Sequence, residues 1–240
     1  MKILAVVLSS LALVACGGGG DSSATAPSGN TAEGFWSGPA STGYTVSLAV
    51  LENGESWGIY SSGSTIYGAL NGTATGNGTT FSATGTDYNF LSGAASSGSF
   101  TGTVAAKSKI TATSNTGGTV SLAYQSDYDK TPSSANLAGS YTMSGRTGYY
   151  TFANTITIGS TGSFTVLDGG CTTTGTLSPR ATGKNIYNFT ATFAGACVFA
   201  SGTTVSGVGY LDTTVAPYRM LALGLKSDKS DGMVIIGTKK

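Results

Sequence analysis

The fold of this chain is decided by segments such as YTVSLAV, residues 44–50, in which apolar side chains alternate with small polar ones. The segment YNFTATF, residues 187–193, has the same two-residue period. Successive side chains of a strand point to opposite faces, so this period predicts one buried and one solvated face, as in antiparallel sheets. Asn-Gly and Asp-Gly dipeptides between such segments favour tight hairpins. They occur at residues 53–54, 71–72, 77–78, 168–169 and 231–232.

The composition is typical of many short strands joined by glycine turns. The 240 residues include 37 Gly, 12 Tyr, 9 Phe and 2 Trp, and only 10% are charged. So many aromatic residues argue against intrinsic disorder. The formal net charge of +1 gives no electrostatic footprint for nucleic acid, so we expect no nucleic-acid partner. The chain has no histidine, which excludes Ser-His-Asp and Cys-His hydrolases and histidine-based zinc sites.

The N-terminal residues have the pattern of an export signal. Met1-Lys2 is a short positive start, and an apolar run follows at residues 3–14. As a helix this run would rise only about 18 Å, well short of a bilayer core of roughly 30 Å. It ends in Leu13-Val14-Ala15-Cys16, which resembles a bacterial lipobox. An ordinary secretory signal followed by an unrelated cysteine is the alternative interpretation.

The resemblance to bacterial lipoproteins implies a signal peptide at residues 1–15, cleaved between Ala15 and Cys16. In that family the new N-terminal cysteine receives a diacylglycerol on sulfur and usually a third acyl chain, such as palmitate, so the lipid bilayer would be a partner of Cys16. Residues 16–33, rich in Gly and Ser, are predicted to be a flexible tether. Gly17 stands where an aspartate would signal inner-membrane retention, so the resemblance favours the outer membrane, facing either side.

Two similar units follow the tether, at residues 34–130 and 137–240. Gly34-Phe35-Trp36 and Gly139-Ser140-Tyr141 open the two units in similar ways. Two further echoes are spaced 99 residues apart. They pair residues 72–76 with 171–175 and residues 88–90 with 187–189. These echoes suggest an internal repeat, although the biased composition offers chance as an alternative.

Each unit has room for about eight short strands, a number that closes into a small filled barrel. We therefore predict an all-β protein of two tandem antiparallel meander units, either small barrels or barrel-like sandwiches. A single larger sheet system is the alternative. The layout resembles that of the barrel-bearing surface lipoproteins with which Gram-negative bacteria capture host proteins, such as transferrin-binding protein B. That resemblance implies a shape and assigns no binding residue.

Cys171 and Cys197 form an even pair in a chain predicted to be exported, which favours a disulfide. Cys171 opens one predicted strand and Cys197 follows the next, and such points are neighbours in a meander. A redox pair is the alternative, but the chain has no Cys-x-x-Cys motif. The first unit has Gly72 and Gly98 at the corresponding spacing, so only the second unit would be cross-linked.

Few residues in the sequence suggest a catalytic, metal-binding or ligand-binding site. Asp127 and Asp129 could suggest a calcium loop, but the glycine and glutamate of an EF-hand are missing, so we interpret them as a solvated linker. Glu52 and Glu55 flank a predicted turn, where a glycosidase pair is an alternative to surface charge. Four aromatic residues could line a ligand pocket or form an exposed platform, although their spacing favours core. They are Trp36, Trp57, Tyr60 and Tyr67.

We therefore expect no catalytic residue, no metal ligand and no cofactor. The preferred hypothesis is a non-enzymatic envelope lipoprotein that binds a protein or a small-molecule ligand through loops or one sheet face. A carboxylate-based envelope glycan hydrolase and a structural or assembly accessory of the cell envelope are the alternatives. The sequence assigns no ligand-binding residue.

Overall fold

The computed structural model describes residues 29–240 except Ser64, Tyr149 and Val215. The lipobox lies outside the described residues, so cleavage before Cys16 and its acylation remain predictions. Among the residues that are described, no helix has the length and hydrophobicity needed to cross a bilayer.

Within the described residues, sixteen strands form two closed antiparallel barrels of eight strands each, which confirms the predicted pair of meander units. The strands of the first barrel are β1 Gly34–Pro39, β2 Thr45–Val50, β3 Glu55–Ser62, β4 Thr65–Asn77, β5 Thr80–Asn89, β6 Ala94–Ala105, β7 Lys109–Ser114 and β8 Thr119–Tyr124. The strands of the second barrel are β9 Gly139–Thr147, β10 Thr151–Ile158, β11 Ser163–Asp168, β12 Cys171–Pro179, β13 Ile186–Gly195, β14 Thr204–Asp212, β15 Arg219–Lys226 and β16 Gly232–Lys239.

Each strand pairs with its neighbour in sequence, and each barrel closes by pairing its first strand with its last. Trp36 of β1 lies opposite Tyr124 of β8, and Tyr141 of β9 lies opposite Lys239 of β16. Closure leaves no unpaired sheet edge, which removes a common route to aggregation. A 3₁₀ turn at Ser126–Asp129 and a short helix, α1, at Ser134–Leu137 connect the barrels.

The two-residue period predicts the barrel interiors correctly. Val46 and Val50 of β2 belong to the core inside the first barrel, and Leu48 packs against it. Phe189 and Phe193 of β13 belong to the core inside the second barrel. The intervening residues point outward, as expected for a strand with one face inside a barrel.

The two barrels lie side by side with the same ends aligned. We call the end at which β1 and β9 begin the base, and the opposite end, formed by loops 40–44, 90–93, 115–118, 196–203 and 227–231, the rim. At the base, Arg180 of the second barrel contacts Glu52 of the first, with 2.6 Å between Nη2 and Oε1. Near the rim, the Tyr88 hydroxyl donates to the Lys229 carbonyl at 2.9 Å.

The two barrels begin in the same way at the base. Trp36 Nε1 donates to the Ala32 carbonyl at 2.8 Å, and the Tyr141 hydroxyl donates to the Leu137 carbonyl at 2.7 Å. Both aromatic side chains are fully buried and close the base of their barrel. The predicted tether extends to residue 33, but Ala32 is itself fully buried against the first barrel. The similar openings found in the sequence are therefore equivalent in structure.

The echoes spaced by 99 residues mark positions that are not equivalent. Tyr88 lies at the rim end of β5 and faces out of its barrel, toward the second barrel. Tyr187 lies at the base end of β13 and belongs to the interior of its barrel. The two barrels share their strand order and their openings, but this echo pairs positions that are not equivalent, and the internal repeat stays a prediction.

A continuous apolar layer joins the barrels. Phe35 stacks on Tyr210 of the second barrel, with ring centroids 3.8 Å apart and planes within 4°. The outer faces of both barrels contribute the other buried members of this layer. They are Ala49, Leu51, Trp57, Ile59, Ile66, Ala69, Tyr88, Phe90, Tyr128, Ile186, Val208, Leu223 and Val234. The two barrels are separate sheet systems that share one hydrophobic interface.

Asp127 is fully buried beneath the linker, so the prediction of a solvated linker is wrong for this residue. Its carboxylate forms an ion pair with Lys130 and accepts hydrogen bonds from Thr213 Oγ1 at 2.8 Å and Asn185 Nδ2 at 2.9 Å. Burial raises the pKa of Asp127, but Lys130 and Thr213 outweigh burial and hold it below its ordinary value. The linker is thereby fixed to the base of the second barrel.

Replacing Phe35 with alanine should destabilise the whole protein, because it removes a stacked ring from the shared layer. We expect the free energy of unfolding to fall by about 3 kcal/mol, as is usual for a buried phenylalanine. Urea denaturation followed by tryptophan fluorescence measures the change. Leu167→Ala is the matched control, because Leu167 is 72% exposed and its loss should cost less than about 0.5 kcal/mol. Equal costs for the two substitutions would contradict the interface.

Candidate functional site

A cavity of about 350 Å³ lies inside the first barrel. Thr42, Asn115 and Thr116, all in rim loops, contribute to its lining, so the cavity opens at the rim. Trp36 fills the barrel below it and separates the cavity from the base. A volume of this size is within the range of small-molecule binding sites.

Apolar side chains line much of the cavity wall, and polar side chains line the rest. The apolar lining includes Val46, Leu48, Phe81, Phe100, Ile110 and Leu122. The polar lining includes Ser56, Asn71, Thr86, Asn89, Ser96 and Ser97. A mainly apolar space with a few polar groups is the usual character of a site that binds a small organic molecule.

Asp87 is the charged side chain of this lining, and Tyr60 orients it. The Tyr60 hydroxyl donates a hydrogen bond to Asp87 Oδ1 at 2.9 Å. The Tyr60 ring lies directly over Gly68, where an added Cβ would be 2.1 Å from the ring. No real side chain tolerates so close a contact, so glycine at position 68 is what allows Tyr60 to reach Asp87.

Burial affects both members of this pair. Burial raises the pKa of the Asp87 carboxyl, the hydrogen bond from Tyr60 opposes that shift, and the net direction is upward. Burial and the nearby Asp87 charge raise the pKa of the Tyr60 hydroxyl above its ordinary value. The charged form of Asp87 therefore destabilises the folded protein, and groups with such shifted pKa values are common at functional sites.

Tyr44 extends the aromatic wall from Tyr60 toward the rim. The ring centroids of Tyr44 and Tyr60 are 5.5 Å apart, and those of Tyr44 and Tyr67 are 4.9 Å apart. Both pairs are tilted, at 45° and 35°. Three tyrosines therefore meet near the open end of the first barrel.

The second barrel differs because side chains fill it and a loop covers its rim. Phe164, Phe189 and Phe193 belong to its interior core. Phe199, from the rim loop 196–203, is also buried there, with its ring centroid 4.8 Å from that of Phe193. The predicted disulfide between Cys171 and Cys197 is present and ties this loop to β12. The second barrel is therefore closed where the first is open.

The four aromatic residues singled out in the sequence have three different roles. Trp36 is interior core, and Trp57 is part of the layer between the barrels, where its Nε1 has no hydrogen-bond partner among the described residues. Tyr60 lines the cavity, and Tyr67 contacts Tyr44 at its edge. The alternative of a ligand pocket thus applies to Tyr60 alone among the four.

Three of the four carboxylates considered in the sequence form ion pairs, among them Asp127 with Lys130. Glu52 pairs with Arg180 at the base and joins the barrels. Asp129 pairs with Lys107 and Lys184, which, against the raising effect of burial, bring the pKa of its carboxyl down to about 2. Across the described part of the chain, no cluster of three or more His, Cys, Asp or Glu side chains could hold a metal ion.

Asp87 was missed by the sequence reasoning, although its position carries a signal. Phe81 and Ala83 belong to the inward phase of β5, and Asp87 follows in the same phase. A charged residue in the inward phase of a strand is unusual and indicates either an ion pair or a binding site.

Replacing Asp87 with asparagine should raise stability at neutral pH, because it removes a half-buried charge while keeping an oxygen for Tyr60. The folded-state pKa of Asp87 is raised, so its charge costs stability above that pKa and not below the unfolded pKa near 3.8. The gain should therefore be present at pH 7 and vanish below about pH 4. Urea midpoints at the two pH values measure it, and a loss of stability at pH 7 would contradict this account.

Comparisons with known proteins identify no family for this chain. No protein-family model matches the chain, and no curated protein matches it. Among solved structures, a candidate outer membrane protein from Bacteroides fragilis NCTC 9343 is 14% identical, with a TM-score of 0.24, over 87% of this chain and 96% of its own. A mutant of transferrin binding protein B from Haemophilus parasuis Hp5 is 12% identical, with a TM-score of 0.28, over 82% of this chain and 65% of its own. Likenesses this weak establish neither a family nor a function.

Proposed function

We propose that this chain is an exported lipoprotein of the cell envelope, anchored through Cys16, whose first barrel binds a small molecule without catalysis. The observation that carries the binding role is the cavity of about 350 Å³ that opens at the rim. Small barrels normally fill their interior with side chains, as the second barrel does. An open interior in one of two otherwise similar barrels supports binding as its role.

The second barrel then serves as a support. Its filled interior, its disulfide and the layer it shares with the first barrel hold the outer wall of β1 to β5 in place. Strands β3 to β5 carry Tyr60, Gly68 and Asp87, so this support also fixes the cavity wall. Rigid elements position binding groups better than loops do.

The cavity mouth and the first described residues lie at opposite ends of the first barrel. Residues 30–32 reach the first barrel at its base, where Asn30 Nδ2 donates to the Ala74 carbonyl at 2.9 Å. The mouth lies at the rim, at the opposite end of the strands. The described chain therefore enters the first barrel at the end opposite the cavity mouth.

A second candidate function, binding of a partner protein at the rim, is favoured by one observation. Among the described residues, four large hydrophobic side chains are markedly exposed, and all lie at the rim ends of strands or in the connections between them. They are Leu91, Tyr150, Leu167 and Val198. Exposed apolar groups that cluster at one end of a protein often mark an interaction surface.

The glycan hydrolase alternative has less support. A glycosidase needs two carboxylates about 5 to 9 Å apart across the substrate. The cavity lining contributes one, Asp87. A structural or assembly role in the envelope agrees with the pair of joined barrels, but it does not explain the cavity in the first barrel.

The cavity can be tested with the neutral fluorescent probe N-phenylnaphthylamine. The wild-type protein should bind it with enhanced fluorescence, and Ala83→Phe should weaken binding at least tenfold because Ala83 lines the cavity. Ala153→Phe is the matched control, since Ala153 is an exposed residue on β10 of the second barrel. Circular dichroism confirms that both variants fold. Equal binding by the two variants, or no binding by the wild type, would refute the proposal.

The anchor can be tested by intact-mass analysis together with protease treatment of whole cells. Protein purified from membranes should be heavier than the polypeptide that begins at Cys16, by the mass of its acyl groups. Cys16→Ala should abolish acylation and release the protein from the membrane. Digestion on intact cells would place the barrels on the outer surface, whereas protection would place them in the periplasm. A wild-type protein without acyl groups would refute the anchor.

A further inference from the structure

We propose that the cavity of the first barrel selects an organic ammonium ion, with the cation near Asp87, Tyr60 and Tyr44 and an apolar body held deeper in the barrel. This inference rests on the proposed binding function and adds the chemical class of the ligand. It follows from the charge of the lining, the arrangement of the tyrosines and the character of the deeper part of the cavity.

The charge of the cavity lining favours a cation. Asp87 contributes a negative charge, and no Lys or Arg is among the described residues that line the cavity. Charged side chains taken out of water are normally paired with an opposite charge. The described surroundings of Asp87 supply a hydrogen bond from Tyr60 and no cation. A positively charged ligand would complete the pairing.

The geometry of the Asp87 carboxylate also favours a cation. Tyr60 contacts Oδ1, and the described residues give no hydrogen bond to Oδ2. An ionised carboxylate accepts about four hydrogen bonds, so Asp87 keeps most of its capacity for a ligand. Gly68 leaves the space in which the Tyr60 ring lies, which fixes the carboxylate before any ligand arrives. Such preorganisation lowers the cost of binding.

The aromatic wall formed by Tyr44 and Tyr60 also favours a cation. The tilted rings of Tyr44 and Tyr60 lie 5.5 Å apart, and both line the cavity that holds Asp87. A cation within about 6 Å of an aromatic face is attracted to it, and quaternary ammonium ligands are bound in this way in proteins. A carboxylate that is hydrogen-bonded to Tyr60, whose ring lies beside that of Tyr44, offers such a cation both a charge partner and aromatic contacts.

The space deeper in the first barrel favours an apolar body on that cation. The lining near the base end includes Phe81, Ile110 and Leu122, none of which can hydrogen-bond a ligand through its side chain. A small inorganic cation would leave this region empty, whereas an organic ammonium with an apolar body would fill it. The cavity therefore suits a molecule with one cationic end and one hydrophobic end.

Three ligands of similar size but different charge test the inference directly. Phenyltrimethylammonium is the cation, tert-butylbenzene its uncharged isostere and benzenesulfonate the anion. Calorimetry measures cation binding, and displacement of N-phenylnaphthylamine ranks all three. We expect the wild-type protein to bind the cation at least tenfold more tightly than either of the other ligands.

Substitutions then identify the groups responsible. Asp87→Asn should weaken cation binding at least tenfold and leave the neutral ligand within about twofold, because truncating one partner of a desolvated charge pair is costly. Tyr44→Leu should weaken cation binding several-fold through loss of an aromatic face. Asp228→Asn is the control for general electrostatics, because Asp228 is an exposed carboxylate in the rim loop 227–231 of the second barrel.

The outcomes separate this inference from the proposed function. If N-phenylnaphthylamine binds and Ala83→Phe blocks it, but the three ligands compete equally, the cavity remains a binding site and the ammonium inference is wrong. The ammonium inference is also wrong if Asp87→Asn and Asp228→Asn weaken cation binding equally. If neither the probe nor the cation binds, both the proposed function and this inference are wrong.

Discussion

The apolar layer between the barrels is the interaction on which the rest of the structure depends. Phe35, Trp57 and Tyr210 point out of their barrels and would face water if either barrel stood alone. Pairing the barrels removes this surface from water, and the hydrophobic gain from doing so is the largest favourable term available. The layer therefore makes the two barrels one folding unit.

The same layer sets the alignment of the two ends. Glu52 with Arg180 at the base and Tyr88 with Lys229 near the rim are polar contacts at opposite margins of one apolar face. Asp127 then fixes the linker, so the second barrel cannot rotate away from the first. With one wall held from outside, the first barrel can keep an open interior that a lone small barrel would be expected to fill.

Much of the fold could be predicted from sequence because a two-residue period and Asn-Gly turns are local signals. The turn predicted at Asn71-Gly72 is wrong, because both residues lie inside β4. The inward phase of Val46, Leu48 and Val50 followed directly from the two-residue period. The outward apolar residues could not be assigned in this way, because a period of two does not show that the second face is covered by another barrel. Trp57 therefore resembles ordinary core, and Asp127 a solvated residue, until the partner surface is known.

The candidate site was less predictable than the fold. The disulfide followed from strand order, since both cysteines lie at one end of a hairpin. The cavity depends on how much of the interior is left unfilled, which is a sum over eight strands and leaves no local pattern. In the sequence, Asp87 stood out only as a charged residue in the inward phase of β5. Its role could be inferred only together with Tyr60 and Gly68, which are far from it in sequence.

The connection between the barrels has a consequence for how this protein can vary. The linker runs from the base of the first barrel to the base of the second, and the last strand also ends at the base. Every rim connection is therefore a simple hairpin, and none carries the chain from one barrel to the other. Loops of this kind tolerate insertion, because a longer loop adds little closure entropy and leaves the strand register unchanged. The rim is thus an end at which new recognition surfaces can be grafted or evolve while the paired barrels below stay as they are.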